Sequence, residues 1–353
     1  MKKTMQFIAI VLSLFLFLPA ASAVTDLSEN HMFYEEINYL IDKGVVKGYS
    51  DGTIRPDRSL NRAEAAVMIG RLKGLDGTPQ KTPFRDVPAG HYASGYIANA
   101  AEAGYVLGHS DGTYRPDVAI TRNDMALVAE RVFDLNYFYF YGIKDSPDDL
   151  PDFQAVSKVF AASIAIGYPD GTFRPLQEGT RGQFSAFLAR ALEPKFKNKA
   201  SIAHSYQRDK TKTYTYRMEN DNVGVARFVK VPALEGQEDE FVWETRVGEE
   251  RYHELEYENT EGFAVGSTYS EYSSYLTYPV QDDKLFLAGY NPAVVLYTIT
   301  GVDKSVKTEY QTFIDAVEVT TDDGGVYYMV EGFSVVKWIK SDGTVSKELM
   351  DVE

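Results

Sequence analysis

The 353-residue chain has 44% hydrophobic and 25% charged residues, the composition of a folded protein with about two or three domains. Its 36 Lys and Arg side chains face 51 Asp and Glu, and the net charge of −15 excludes bulk electrostatic attraction to nucleic acid or an anionic membrane. The chain contains no cysteine, which excludes disulfides, iron–sulfur clusters, thiolate zinc sites and cysteine nucleophiles.

Residues 1–23 have the pattern of a secretory signal peptide. Two lysines precede an apolar run from Phe7 to Leu18, and small residues follow at 21–23. The run has about 12 residues, whereas a membrane-spanning helix needs about 20. We therefore expect export with cleavage after Ala23, which leaves a charge of 34 − 51 = −17. No cysteine offers a site for a lipid anchor, and no membrane span is expected in the mature chain.

A nine-residue motif occurs three times in the first half of the chain. The copies are GYSDGTIRP at 48–56, GHSDGTYRP at 108–116 and GYPDGTFRP at 167–175, with starts 60 and 59 residues apart. Self-similarity at such a period indicates structural repeats. Each copy has an aspartate 22 residues upstream and an arginine seven residues after its own arginine: Asp26, Asp86 and Asp145, and Arg62, Arg122 and Arg181.

Each repeat is predicted to be a pair of helices joined by a turn. Ile37, Leu40 and Val45 show the helical period before the first motif. The Asp-Gly pair of the motif predicts a turn with positive φ, and the closing proline stops a helix. Three such hairpins are expected to share one core, because one alone cannot bury its apolar stripes. Capping-box patterns mark the second helices: Asn61 with Glu64, Thr121 with Asp124, and Thr180 with Gln183.

The repeat resembles the S-layer homology (SLH) repeat of bacterial cell-envelope proteins. The second copy carries the pattern in Phe84–Val87, His91–Tyr92, the motif at 108–116 and Ile120–Asp124. The resemblance covers residues 24–193, as repeats at about 24–76, 82–135 and 141–193. It implies a pseudo-threefold helical trefoil whose inter-repeat grooves bind an anionic, typically pyruvylated, secondary cell-wall polysaccharide attached to peptidoglycan.

One position departs from the family. Where the family commonly has His-Trp, this chain has His31–Met32, His91–Tyr92 and Leu150–Pro151, so the groove of the third repeat is expected to be altered or silent. The resemblance implies glycan contacts by the arginine that follows each cap. The candidate glycan-binding residues are Arg62, Arg122, Arg181, Asp26, Asp86 and Asp145.

The arginine after each cap lies near the positive end of a helix dipole and therefore needs a partner. One alternative is an internal salt bridge to the upstream aspartates. The other is an anion clamp, in which the guanidinium and free helix N-terminal N–H groups converge on a sugar carboxylate. The two are compatible, because an arginine can pair with aspartate until the ligand arrives.

Several other patterns are interpreted as structural. The GxSxG patterns at Ser50 and Ser110 have no preceding strand, and Pro169 replaces the serine in the third copy, so no catalytic residue is assigned. The five histidines show no metal-ligand spacing and are predicted to be surface or capping residues, and neither a metal nor a cofactor is expected. The run Asn136–Tyr141 is interpreted as a buried connector, with a sugar-stacking platform as the alternative. The motif arginines are predicted to be structural: Arg55, Arg115 and Arg174.

The second half has a different composition. Residues 194–204, basic and polar, are predicted to be a linker. From 205 to 353 the chain is rich in Tyr, Val and Thr. The segments 275–279, 312–319 and 327–337 are weakly similar to an uncharacterised β domain of bacterial envelope proteins and lipoproteins. Period-two runs predict an all-β, antiparallel domain. The runs are 214–216, 241–243, 285–287, 294–299, 313–319 and 326–330.

The sequence as a whole predicts a multidomain α plus β protein, secreted to the cell wall or cell surface of a bacterium. We expect non-covalent anchoring by the SLH trefoil and display of the β domain. This domain is predicted not to be an enzyme, because no motif selects a catalytic pair among its carboxylates. An S-layer or envelope protein is its candidate partner. The alternatives are a wall-anchored hydrolase of envelope glycan or peptidoglycan, and an S-layer lattice subunit.

Overall fold

The structure of the chain is a computed structural model. The described residues are 25–135, 145, 153–168, 170–200, 202–231, 240–259, 262–267, 273–290 and 293–353. The predicted signal peptide, the aromatic run at 136–141 and the Leu150–Pro151 pair lie outside them.

The first half of the chain consists of three helical hairpins, as the repeats predict. Each second helix begins with a complete capping box, so all three predicted caps are confirmed. The first helices end just before a glycine in the left-handed region, where φ is 70° at Gly44 and 76° at Gly104. The helices are α1 (Tyr34–Asp42), α2 (Arg62–Leu72), α3 (Ser94–Glu102), α4 (Arg122–Phe133), α5 (Phe153–Ala161) and α6 (Arg181–Leu192).

A closed ring of backbone hydrogen bonds joins the three hairpins. Leu60 N–H donates to the carbonyl oxygen of Gly179 at 2.9 Å, Gly179 N–H to that of Ile120 at 2.8 Å, and Ile120 N–H to that of Leu60 at 2.8 Å. The three residues stand at the same position of the three repeats. The ring therefore has pseudo-threefold symmetry, and the predicted helical trefoil is confirmed.

The segment predicted as a linker is structured. It contains α7 (Pro194–Lys197) and a 3₁₀ turn (Asn198–Ala200). Phe196 is 1% exposed and packs edge-on against Tyr39, with ring centroids 5.1 Å apart. The linker prediction rested on the basic and polar composition of the segment and did not take account of the apolar Phe196. The same core includes Val242 and Leu255 from the β domain, so the two halves of the chain pack directly on each other.

The second half of the chain is one twelve-stranded antiparallel sheet, which confirms the all-β prediction. The strand order is β6-β5-β4-β3-β2-β1-β12-β11-β10-β9-β8-β7. Every predicted period-two run lies within one of these strands. The strands are β1 (Thr213–Met218), β2 (Val223–Val231), β3 (Glu240–Val247), β4 (Glu250–Asn259), β5 (Gly262–Ser267), β6 (Ser273–Thr277), β7 (Lys284–Tyr290), β8 (Ala293–Lys307), β9 (Thr312–Thr321), β10 (Val326–Val330), β11 (Ser334–Ile339) and β12 (Val345–Val352).

The sheet curls so that distant strands share one apolar core. Phe263 of β5 and Leu276 of β6 belong to the same buried cluster as Ile299 of β8 and Val319 of β9. A cross-sheet hydrogen bond of 2.8 Å runs from the Tyr327 hydroxyl to the backbone oxygen of Tyr275. No helix among the described residues combines the length and apolarity needed to cross a bilayer.

Candidate functional site

Arg62 joins the first repeat to the turn of the second. It is the first residue of α2, directly after the Asn61 cap. Its Nε donates to the backbone oxygen of Tyr114 at 2.8 Å, and its Nη2 donates to that of Leu107 at 2.7 Å. The guanidinium also lies 4.7 Å from the centre of the Tyr114 ring. These carbonyl partners explain how a cation is held near the positive end of a helix.

The equivalent arginines make equivalent contacts around the ring. Arg122 Nε donates to the backbone oxygen of Phe173 at 2.7 Å, and Arg181 Nη2 donates to that of Lys47 at 2.7 Å. Each repeat therefore contacts the next, and the third contacts the first. Among the described residues, none of the three arginines pairs with an aspartate, so the alternative of an internal salt bridge to the upstream aspartates is wrong.

The N–H groups at the start of each second helix are occupied as well. Arg62 N–H and Ala63 N–H donate to the carbonyl oxygens of Val118 and Pro116, at 3.0 and 2.9 Å. The third N–H of α2 donates to the Asn61 side chain. The first N–H groups of α4 and α6 likewise donate to carbonyl oxygens of the following repeat and to the side chain of their own cap. The expectation of free helix N-terminal donors is therefore wrong, because backbone from another repeat uses them.

The upstream aspartates hold the motif turns. Asp26 accepts hydrogen bonds from the backbone N–H groups of Ile54 and Arg55, at 2.7 and 2.8 Å. Asp86 accepts from Tyr114 and Arg115, and Asp145 accepts from Phe173 and Arg174. Both oxygens of each carboxylate are thus used within the turn. The geometry gives these three candidate residues a structural role in their own repeat.

The turn arginines have a left-handed backbone, with φ of 56° at Arg55 and 57° at Arg115 and Arg174. Each forms an ion pair with the aspartate four residues earlier, at 2.6, 3.1 and 2.9 Å. The prediction that they are structural is confirmed. His31 and His91 act as predicted too, since their Nδ1 atoms accept the N–H groups of Phe33 and Ala93 ahead of α1 and α3.

A cavity of about 260 Å³ opens beside Arg62, between the first and second repeats. Its polar lining comes from Arg62, His109, Asp124 and Arg131. Asp124 is held in its capping box, where it accepts the Thr121 N–H at 3.0 Å. The apolar lining includes Ala65, Leu107, Leu127 and Val128.

The cavity presents more positive than negative charge. Arg131, in the last turn of α4, makes no hydrogen bond or ion pair with any described residue. Desolvation and the nearby charges of Arg62 and Arg115 lower the pKa of His109, which disfavours the charged imidazolium. The lining therefore combines two guanidinium groups, one carboxylate, an imidazole and an apolar wall. Such a set is suited to an anionic ligand with apolar faces.

Comparison with known proteins decides the family of the first half. Residues 25–66, 83–126 and 142–185 each match the S-layer homology domain. The chain carries three SLH domains.

The relatives of this chain are much longer than the region that matches it. Cell surface glycoprotein 1 of Acetivibrio thermocellus is 33% identical over 43% of this chain and 7% of its own length. The cellulosome-anchoring protein of the same organism is 32% identical over 42% of this chain and 35% of its own length. An endoglucanase of a Bacillus species is 29% identical over 52% of this chain and 21% of its own length. The chain thus spans about a third of these relatives or less. The SLH domains and these relatives support anchoring at the cell wall or cell surface.

The three SLH grooves differ in how far solvent reaches the arginine. Arg122 and Arg181 are each 5% exposed, whereas Arg62 is only partly buried. Burial lowers the pKa of Arg122 and of Arg181. Among the three predicted arginines, Arg62 is the one that a ligand can reach in this conformation.

Arg131 was not among the residues predicted from the sequence. His109 is exposed, as predicted, and it also lines the cavity. A signal for Arg131 was present, because arginine recurs at the same position of every repeat: Arg71, Arg131 and Arg190. Arg71 and Arg190 each donate to a backbone oxygen of their own repeat at 3.3 Å, and Arg190 also pairs with Glu36. Arg131 alone among these three makes no such contact with the part of the chain that the structure describes.

The β domain contains a ladder of carboxylates on one face of β4. Glu254, Glu256 and Glu258 alternate along the strand. Glu256 accepts hydrogen bonds from Arg208 Nε at 2.6 Å and from the indole N–H of Trp243 at 3.1 Å. Glu254 accepts from Arg208 Nη2 at 3.1 Å. Glu258 is bound by the Tyr206 N–H and by two hydroxyls: Ser205 and Tyr278.

Proposed function

We propose that the chain anchors itself to the cell wall by binding an anionic, pyruvylated secondary polysaccharide in the groove between the first two SLH repeats. The observation that carries this proposal is the accessible Arg62 in a 260 Å³ cavity that also contains Arg131, which pairs with none of the described residues. A carboxylate on a sugar fits this pair by charge, and its ring and methyl group fit the apolar wall.

Arg62 is suited to bind such a carboxylate because its orientation is already set. A guanidinium has five N–H donors, and the backbone oxygens of Leu107 and Tyr114 each accept one from Arg62. Three donors have no acceptor among the described residues and can bind a ligand. Because the side chain is held before binding, little conformational entropy is lost when a carboxylate arrives.

Recognition of this kind is local. The whole chain is acidic, with a net charge of −15, so long-range attraction does not draw an anionic polymer to it. Charges separated by more than about 8 Å are largely screened at physiological ionic strength. A carboxylate within the cavity lies inside that distance from Arg62 and Arg131. We therefore expect binding to weaken only moderately between low and physiological salt.

We further propose that the β domain is displayed by the anchor and is not catalytic. Burial raises the pKa of Glu258, as a general acid requires. Its oxygens, however, are occupied by donors of the chain itself, and the neighbouring Glu256 is held by Arg208. A glycosidase pair needs two carboxyl groups that face a substrate. A wall-anchored hydrolase is the second candidate, because one of the relatives of this chain is an endoglucanase.

The anchoring proposal is tested with the chain lacking residues 1–23 and purified wall sacculi. Sacculi are used before and after removal of the polymer that is not peptidoglycan. Binding to the intact sacculi alone is expected, and equal binding to both would contradict the proposal. In parallel, release of labelled fragments from the same sacculi tests hydrolysis. Release that Glu258→Gln abolishes would overturn the non-catalytic assignment.

A further inference from the structure

The three SLH grooves differ at one aromatic position of the nine-residue motif. The second residue of the motif is Tyr49 in the first copy, His109 in the second and Tyr168 in the third. In each groove the arginine of one repeat donates to the backbone of the next repeat, and this aromatic residue lies on that next repeat. The arginine of the third repeat, Arg181, faces Tyr49 of the first.

The tyrosine closes the groove between the third and first repeats. The Tyr49 ring centre lies 5.2 Å from the guanidinium carbon of Arg181. The Tyr49 hydroxyl donates to Glu64 Oε1 at 2.7 Å, and Arg58 contacts both the hydroxyl and the carboxylate. This trio of Tyr49, Arg58 and Glu64 belongs to the first repeat and holds the Tyr49 ring against Arg181 of the third repeat, which is 5% exposed.

The groove between the second and third repeats has the same arrangement in part. The Tyr168 ring centre lies 4.8 Å from the guanidinium carbon of Arg122. The Tyr168 hydroxyl accepts a long hydrogen bond of 3.5 Å from Gln183, which stands where Glu64 stands in the first repeat. Arg122 is likewise 5% exposed.

The groove beside Arg62 lacks every member of the closing trio. His109, Val118 and Asp124 occupy the positions of Tyr49, Arg58 and Glu64. Imidazole is shorter than a phenol ring and has no hydroxyl at its far end, and Val118 offers no donor. Asp124 is one methylene shorter than Glu64, and its Oδ2 is held by Thr121. Among the described residues no hydrogen bond joins these three side chains, and a cavity lies beside Arg62.

We propose that His109 is the residue that determines which groove binds, because it leaves open the groove of Arg62 while tyrosine closes the other two. Each chain then takes one acidic sugar unit, between the first and second repeats. This inference rests on the proposed function and deepens it. His109 acts by the space it leaves rather than by a contact with the ligand.

The test measures binding to sacculi and counts sites by calorimetry with a methyl hexoside that carries a pyruvate ketal. The wild-type chain is expected to bind one hexoside. His109→Tyr is expected to lower the affinity for sacculi at least tenfold, because the new phenol ring lies over Arg62. His109→Ala also removes the imidazole but keeps the space open, so it is expected to bind sacculi at least tenfold more tightly than His109→Tyr does. Unchanged melting temperatures of both variants separate the effect from loss of folding.

A gain of function provides the converse test. Tyr49→His removes the bridge over Arg181 and is expected to add a second hexoside site. Two or three sites in the wild type, or unchanged affinity of His109→Tyr, would overturn the inference while leaving the anchoring proposal intact. Equal losses in His109→Tyr and His109→Ala would overturn it as well, because they would show that loss of the imidazole, and not the added phenol ring, weakens binding. Failure of the wild type to bind sacculi would instead contradict the proposed function, and this inference with it.

Discussion

The ammonium group of Lys197 donates a hydrogen bond of 2.5 Å to the backbone oxygen of Ala162, at the exit of α5. Lys197 is 2% exposed, and its Nζ also lies 5.3 Å from the ring centre of Phe241 in β3. A single buried side chain therefore touches the third SLH repeat, the segment after it and the β domain. Burial, with a further contribution from the charge of Lys210, lowers the pKa of Lys197 to about 7.

The depressed pKa of Lys197 predicts a pH-dependent stability cost. The unfolded lysine holds its proton up to a pKa of about 10.4, so between pH 7 and 10 the unfolded state binds more protons and stability rises with pH. Lys197→Met removes the buried charge and keeps the apolar stem. We expect it to raise the free energy of unfolding by about 1–4 kcal/mol at pH 6, and by less at pH 9. Urea unfolding at both pH values measures this, with exposed Lys195→Met as the matched control. A destabilised Lys197→Met at pH 6 would show that the hydrogen bond to Ala162 outweighs the cost of burial.

Arg62 and Arg181 are predicted to separate binding from stability. Arg62→Ala removes charge-assisted contacts in the open groove and should weaken binding to sacculi by about 1.5–3 kcal/mol, roughly 10- to 150-fold. Arg181→Ala removes a buried side chain that donates to Lys47 and packs on Tyr49. We expect this variant to lose about 1–3 kcal/mol of stability with little change in affinity. The reverse pattern, measured by sedimentation with sacculi and by thermal unfolding, would contradict the assignment of the groove.

The repeat architecture of the SLH half was predictable because its determinants are local and occur three times. Caps, glycine exits and motif turns depend on residues within a few positions of each other, and the structure confirms them. The partners of Arg62 were not predictable in the same way. They are backbone oxygens about 50 residues away, and a carbonyl group carries no residue-specific signal in a sequence.

The all-β, antiparallel class of the second domain was predictable from the sequence, but the order of strands in the sheet was not. Alternating apolar residues indicate strands, and the turns at Gly324 and Gly343 follow from residue type. The pairing of β1 with β12, in contrast, joins the two ends of the domain. Alternation specifies which face of a strand is buried and leaves the neighbour undetermined. The ladder on β4 was hidden for a related reason, because glutamates at alternate positions are typical of a solvated face.

The motif aspartates predict a loss of stability in acid. Hydrogen bonds from Thr53 and the Arg55 side chain lower the pKa of Asp51 to about 2, and equivalent contacts lower the pKa of Asp111 and Asp170. A carboxylate with a depressed folded pKa contributes stability above its unfolded pKa of about 3.9, and this contribution is lost as pH falls toward 2. Asp111→Asn should flatten the stability profile between pH 4 and 2. Exposed Asp117→Asn is the control, and equal flattening by both variants would contradict the prediction.

The ring position of the third repeat predicts a packing constraint. Gly179 stands where the other repeats have Leu60 and Ile120, and a Cβ added to it would lie 2.1 Å from the sulfur of Met125. We expect Gly179→Ala to cost about 1–3 kcal/mol of stability through overpacking. Met125→Ala empties that space, so the double variant should lose less than the sum of the two single losses. Additive losses in denaturant unfolding would show that Met125 does not fill the place of the missing side chain.

The cycle formed by Leu60, Gly179 and Ile120 limits how this protein can change its length. An open solenoid gains or loses units at its ends, because each unit contacts only its neighbours. In the cycle each of the three N–H groups donates to a carbonyl oxygen of another repeat. Deletion of one repeat therefore leaves one buried N–H and one buried carbonyl group without a partner on the remaining two. Insertion of a fourth unit would require a ring of different radius, with new crossing angles between the helices. Duplication or loss of repeats should therefore be tolerated in sets of three. A fragment with two repeats should recover stability when a repeat of another molecule binds in the place of the missing one.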